Sequence, residues 1–337
     1  MIHLDKWYLD LVDDAGRVAI IYWAQLAFRF GGREPKPPRD GAGRFGQIAH
    51  ASFRVLEPDG TIEGRSTARP GSGPRIGAEG LLRFDAPALG LFGVWRAERR
   101  GSAHELFRRG SRTVTWNCLA PRAAVELAIG GRTLVGRGYA ERLVVTMAPW
   151  RLPIDELRWG RLVAADTSAT WIDWRGPVPC RLLLLDDEAV IERTPSQRRG
   201  ADARRTTGTS ASAGPPPGAP ALRTPAQRVQ ALGEPSFAGV GCTDHLDDRS
   251  IRWDRGLIEL APVRTLRDAP LSEGSLATVQ LLARLLPRRL RTAQETKWLS
   301  RGTLTLRSGS EDAEPTRHLG WAIHELVTFG PATGLRG

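Results

Sequence analysis

The sequence predicts an all-β fold with enough material for two domains. Three observations carry that expectation. Short runs rich in β-branched and aromatic residues recur along the chain, punctuated by Gly, Pro and Asp. Little of the first 190 residues sustains the 3.6-residue period of an amphipathic helix. A length of 337 residues with 41% hydrophobic content is comfortable for two buried cores.

The elements follow in order. Trp7 to Ala24 places two β-rich runs about Asp13-Asp14-Ala15-Gly16, the turn chemistry of a hairpin. Strands are then expected at Gln47 to Leu56, Ile62 to Arg65, Gly80 to Phe84, Phe92 to Arg96, Arg112 to Asn117 and Ala123 to Ile129. Residues 132 to 148 and 169 to 175 continue in the same style. From Thr194 to about Arg228 Ser, Thr, Ala, Gly and Pro dominate, with Pro215-Pro216-Pro217-Gly218 at the centre and no aromatic residue. Such a stretch buries too little apolar surface to offset chain entropy, so a disordered insertion is expected. β-like runs resume at Ile251 to Leu260, Lys297 to Arg307 and His318 to Phe329. Between them Leu276, Val279, Leu282, Leu285 and Leu286 share one helical face, predicting a short amphipathic helix over Leu276 to Arg291 that ends near Pro287. It is expected to cover the end or flank of a barrel. The chain is divided accordingly into residues 1–177 and 178–337, the second half interrupted by the insertion.

Charge and composition exclude several classes. The net charge is +11, yet Lys6, Lys36 and Lys297 are the only lysines, so arginine supplies nearly all of it. Arginines 198, 199, 204, 205, 223 and 228 against Asp202 place about half of that charge on the insertion. No basic stripe with interleaved aromatics remains, so nucleic acid is not expected as a partner. A modest attraction to anionic membrane surfaces stays open. No apolar run reaches 18 residues, and the N-terminus lacks a signal-peptide pattern, which points to a cytoplasmic protein with at most peripheral membrane contact. Cys118, Cys180 and Cys242 are widely spaced and expected to be buried, inert thiols. The six histidines lack metal spacing, and Thr243 to Asp248 is better explained as a solvated turn than as a metal site. Phosphate-loop, dinucleotide, zinc-hydrolase and nucleophile-elbow motifs are absent, so neither metal nor cofactor is expected.

The chemistry concentrates between Arg112 and Gly176. Trp116, Trp150, Trp159, Trp171 and Trp174, five of the eleven tryptophans, fall within 59 residues, and Tyr139 is one of three tyrosines. On a strand, Tyr139 and Glu141 point to one face. Should that face line a barrel interior, burial raises the Glu141 carboxyl pKa and keeps it protonated near neutrality. A protonated carboxyl beside a phenol can donate to an alkene. The face of Trp116 would stabilise the resulting cation by roughly 0.5–2 kcal/mol. Trp150, Trp159, Trp171 and Trp174 would wall the substrate. The same residues also fit an ordinary strand with an exterior Glu141–Arg142 pair and a tryptophan-filled core.

Trp116-Asn117-Cys118-Leu119-Ala120-Pro121-Arg122-Ala123 followed by Gly136-Arg137-Gly138-Tyr139-Ala140-Glu141 resembles the carotenoid 1,2-hydratase (hydroxyneurosporene synthase) family, within the lipocalin-like and AttH-like two-barrel group. Trp298 to Gly302 and Gly320 to Glu325 are similar to that family's closing strands. The resemblance implies two lipocalin-like (calycin) β-barrels enclosing an apolar ligand. It also implies cofactor-independent hydration of a C=C bond in a carotenoid, terpenoid or other polyene. Related members imply two alternatives, a natural-product cyclase or isomerase and a non-catalytic carrier. Trp116 and Tyr139 match the family's aromatic positions, and Glu141 matches its Asp. Glu141 is one methylene longer, and Arg142-Leu143-Val144-Val145 replaces the Asn and Gly that usually follow.

Overall fold

In a computed structural model, residues 2–28, 46–77, 80–193, 249–271, 288–307 and 314–330 are described. They form two curled antiparallel sheets, consistent with two barrel-like halves. The first holds β1 (Ile2–Val12), β2 (Val18–Phe28), β3 (Gly46–Leu56), β4 (Ile62–Thr67), β5 (Arg75–Ile76), β6 (Leu81–Ala86), β7 (Leu91–Ala97), β8 (Ser102–Arg109), β9 (Arg112–Ile129) and β10 (Arg132–Val145). Their order is β4-β3-β2-β1-β10-β9-β7-β6-β5, with β8 paired to the first half of β9. The second holds β11 (Glu156–Ala164), β12 (Ser168–Arg175), β13 (Cys180–Leu185), β14 (Glu188–Arg193), β15 (Ser250–Trp253), β16 (Gly256–Pro270), β17 (Gln294–Leu306) and β18 (Thr316–Thr328), in the order β14-β13-β12-β11-β18-β17-β16-β15.

The opening hairpin forms as its turn chemistry dictates. Gly16 adopts a φ of +82°, and its N–H donates to the Asp13 carbonyl. β9 runs unbroken where the sequence suggests two strands. Pro121, which cannot donate to a ladder, sits where the β9–β10 register shifts, and two extra β9 residues are absorbed there.

Alternation along the strands sorts the side chains into three cores. Trp7, Leu9, Leu11, Trp23, Phe53, Phe84 and Trp95 fill the first sheet's concave interior. Leu162, Trp171, Leu183, Trp253 and Ile258 fill the second. The third core lies between the sheets and joins Tyr8, Trp116, Cys118 and Tyr139 of the first to Trp159, Ile172, Trp174, Leu299 and Ile323 of the second.

The chain changes sheet between Val145 and Glu156, ahead of the expected division at residue 177, because β11 and β12 pair with β18 and β13. The insertion at 194–228, most of the helix predicted over Leu276 to Arg291, Cys242, Lys36 and the Thr243 to Asp248 turn lie outside the described residues. Beyond Pro287, where that helix was expected to stop, one helical turn is present at Arg288–Arg291. Among the described residues no helix is long and apolar enough to cross a membrane.

Candidate functional site

The face of β10 that carries Tyr139 and Glu141 looks onto the core between the sheets, not into the first barrel. Ala140, one residue away, belongs to the barrel interior. β9 supplies Trp116 to the same side, because its bulges at the Pro121 region switch the strand from one core to the other: Trp116 and Cys118 face the inter-sheet core, Ala120 the barrel interior. β11 supplies Trp159 from across the gap.

These four side chains meet at one atom. Glu141 Oε2 accepts hydrogen bonds from Trp116 Nε1 at 2.5 Å, the Tyr139 hydroxyl at 2.8 Å and Trp159 Nε1 at 2.9 Å. Oε1 accepts none from the described residues. Trp116, Tyr139 and Trp159 are buried, while Glu141 keeps partial exposure. Burial pushes the Glu141 carboxyl above its ordinary range, against the opposing pull of the Trp116 hydrogen bond and the nearby Lys6 charge. Arg142 points away and forks onto Asp5, with Nε–Oδ1 at 2.9 Å and Nη2–Oδ2 at 2.8 Å, so the exterior Glu141–Arg142 pair does not form. Cys118, free and buried against Tyr139, has its thiol pKa driven upward by burial; Cys180 is also free and buried, its thiol pushed up to about 12.

The remaining tryptophans divide. Trp174 joins the inter-sheet core but stacks on Phe107, 6.2 Å between centroids, and donates to the Pro153 carbonyl. Trp171 faces the second sheet's interior, where its ring lies over Gly160. Trp150 sits in the 3-10 turn Pro149–Arg151, apart from that core. Of the four expected to wall the substrate, only Trp159 reaches Glu141. Trp116, assigned the task of stabilising a cation, presents its N–H to the carboxyl.

A second polar cluster adjoins the first, and sequence reasoning missed it. Lys297 on β17 is buried, donates to the Tyr22 hydroxyl at 2.7 Å and pairs with Glu325, with Glu295 at 3.5 Å. Its ammonium lies 4.8 Å from the Tyr8 ring centroid and 5.5 Å from that of Trp159. Burial opposes the Lys297 charge, but Glu325, Tyr22 and Glu295 outweigh it and raise its pKa well above the usual value. Tyr8 links the clusters, with its centroid 4.9 Å from Trp159 and 6.2 Å from Tyr139. All three tyrosines of the chain thus meet here, together with two of its three lysines, since Lys6 lies 5.3 Å from the Tyr22 centroid. That convergence of rare residue types was the available signal.

Tyr22 and Lys297 line a cavity of about 470 Å³ between β2–β4 and β16–β17. Glu141, Tyr139 and Trp116 do not line it. Among the described residues no cluster of three or more His, Cys, Asp or Glu could hold a metal ion.

No protein-family model matches the chain, and no curated protein matches it in sequence. Solved structures similar to it include CghA with Sch210972, at 13% identity and a TM-score of 0.45 over 97% of this chain and 88% of that one. Kievitone hydratase from Nectria haematococca shows 12% identity and a TM-score of 0.45 over 97% and 88%. A candidate AttH from Nitrosomonas europaea shows 10% identity and a TM-score of 0.42 over 96% and 92%.

Proposed function

We propose that the chain is an enzyme that protonates a C=C bond of an apolar polyene or terpenoid and adds water to the cation, as a hydratase does. The observation that carries this reading is the Glu141 carboxyl, enclosed by Trp116, Tyr139 and Trp159 with its pKa raised by burial.

With three donors on Oε2, the acidic proton of neutral Glu141 belongs on Oε1. Transfer of that proton to an alkene carbon leaves a carbocation and a carboxylate. The three N–H and O–H donors then stabilise the carboxylate, a charge-assisted arrangement already in place before the step. Water attacks the cation, and the proton it sheds returns to Glu141, so the cycle closes without another reactant. Tyr139 and the two indoles hold the carboxyl in orientation. A carotenoid is the substrate that the motif resemblance suggests.

Two other outcomes are distinguishable. Loss of a proton from the cation in place of water capture gives an isomer or cyclised product. A carrier without chemistry is favoured by one observation, that the 470 Å³ cavity is lined by Tyr22 and Lys297 and not by Glu141.

Incubation of the purified protein with an acyclic carotenoid or terpenoid polyene in H₂¹⁸O, followed by mass spectrometry, tests the reading. The expected product carries one ¹⁸O, and Glu141→Gln lowers its formation by about 100-fold or more while the variant stays folded. Unchanged turnover in that variant overturns the acid role. A product without ¹⁸O indicates cyclisation or isomerisation, and recovery of unaltered ligand indicates a carrier.

A further inference from the structure

The cavity beside the Glu141 site has a composition that a pure hydrocarbon substrate does not require. Its walls are partly apolar, from Ile20, Phe53, Leu56 and Leu266. Its charged lining is lopsided: Arg54, Arg65, Arg267 and Lys297 face one carboxylate, Glu295. Arg54 and Arg65 are exposed and form a rim, while Lys297 and Glu295 are buried at the floor. Lys6, beside the same Tyr22 ring, pairs with no carboxylate among the described residues. The Tyr8 hydroxyl, in the same cluster and buried, has no hydrogen-bond partner among them.

Burying cations is costly unless they meet an anion. Glu325 and Glu295 answer for Lys297, Glu295 lies 3.0 Å from Arg267, and the half-buried Lys6 acts on Glu141 and Glu325 from a distance, which leaves the exposed rim arginines, Arg54 and Arg65, without a carboxylate partner among the described residues. The choice of residue is informative as well. A chain with 48 lysines and arginines uses lysine at three positions, and two of them point at Tyr22. A compact ammonium there reaches a single oxygen where a guanidinium fork would not fit as well.

We infer that this cavity binds the anionic oxygen head, such as a carboxylate or enolate, of an amphipathic substrate, with Lys297 and Tyr22 at its floor and Arg54 and Arg65 at its rim. The inference rests on the reading of Glu141 as the acid, and it narrows the substrate class to an apolar body with an oxyanion at one end. The head lies at the Lys297 cluster, and the apolar body runs along the inter-sheet core toward Glu141. Between the two stations stand the packed rings of Tyr8 and Trp159, past which the body must reach.

The test is binding of cis-parinarate, a fluorescent polyene carboxylate, against parinaryl alcohol, which has the same body and no charge. Wild type is expected to bind the acid at least about tenfold more tightly. Lys297→Met alone leaves the largely buried Glu325 without its cation and risks unfolding, so it is combined with Glu325→Gln. That pair is expected to bring acid and alcohol within about twofold of each other. Arg54→Gln with Arg65→Gln, on the exposed rim, is expected to cut the preference severalfold and to blunt its salt dependence. Equal binding of both probes by wild type, no binding of either, or a preference that survives in both variants overturns the inference. Because binding is read without turnover, Glu141→Gln retains the preference if the two stations are separate. Loss of turnover in Glu141→Gln with no acid preference would leave the acid standing and remove the head site.

Discussion

At the scale of single residues, two buried titratable groups carry opposite pH signatures. His324 on β18 is packed against Trp298, with 5.1 Å between ring centroids, and its Nε2 lies 2.8 Å from Ser300 Oγ. Burial pulls its pKa down to about 4 from an ordinary 6.5. The native state therefore resists a proton that the unfolded chain accepts. Stability contributed by neutral His324 is present above pH 6.5 and is lost as pH falls through the window down to about 4. Its size is about 3 kcal/mol. Urea titrations from pH 7 to 4 should show wild type losing about that much more than His324→Gln; parallel losses would show that His324 is not buried neutral. Glu141 works the other way. Its raised pKa means that the native state keeps a proton the unfolded chain has released, so its burial costs stability as pH rises above the ordinary carboxyl range. Glu141→Gln removes that cost, so its stability relative to wild type should improve with rising pH while activity is lost. Stability and catalysis move in opposite directions at this one position.

At the scale of elements, the site depends on how β9 and β10 are bent, and the glycines of the Gly136-Arg137-Gly138 stretch explain how. A Cβ on Gly138 would stand 2.0 Å from the Asp10 carbonyl oxygen, and one on Gly136 would stand 2.5 Å from that of Val12. These glycines let β10 press against the β1 backbone just before the register shift at Ala140. Gly138→Ala must push the strands apart at Asp10 and should destabilise the protein by at least about 1–3 kcal/mol. It should also weaken the Trp159–Glu141 contact, visible as a changed indole fluorescence in the folded fraction; an unaltered melt and spectrum would show that the close approach is not needed. The period of two made the shared face of Tyr139 and Glu141 legible, and the turn at Gly16 made the hairpin legible. The same period also held a warning. Trp171 and Trp174 are three apart on one strand, so they cannot wall the same hollow, and the structure sends them to different cores. What local pattern could not reveal is which of two sheet faces turns outward to meet a second sheet, since both faces of β1, β10 and β11 carry buried apolar side chains.

At the scale of the whole molecule, the site exists only where two sheets meet, and one wholly buried ion pair spans that meeting. Asp10 on β1 and Arg161 on β11 are 151 positions apart and both wholly buried. Arg161 forks onto Asp10, with Nε–Oδ2 at 3.0 Å and Nη2–Oδ1 at 2.7 Å, and its Nη1 donates to the Trp321 carbonyl at 2.9 Å. Trp95 donates to the Asp10 carbonyl from the barrel side, so one residue ties the interior of the first sheet to the face of the second. No sequence pattern links Asp10 to Arg161, because each sits at an ordinary strand position whose partner is supplied by the docking of the sheets. Desolvation makes such a pair expensive to form and more expensive to break. Arg161→Met leaves a buried carboxylate alone and should cost about 3–5 kcal/mol in urea unfolding. Asp10→Leu with Arg161→Met replaces the pair by apolar volume and should recover much of that loss. If the pair serves only stability, the double variant regains activity together with its melting temperature. If it sets the angle between the sheets, the double variant refolds to near wild-type stability yet stays impaired. The reason is that Trp159, two residues from Arg161 on the same face of β11, would no longer be held within hydrogen-bond reach of Glu141. We expect the second result. Full recovery of turnover in the double variant would show that hydrophobic docking alone places the two halves of the site.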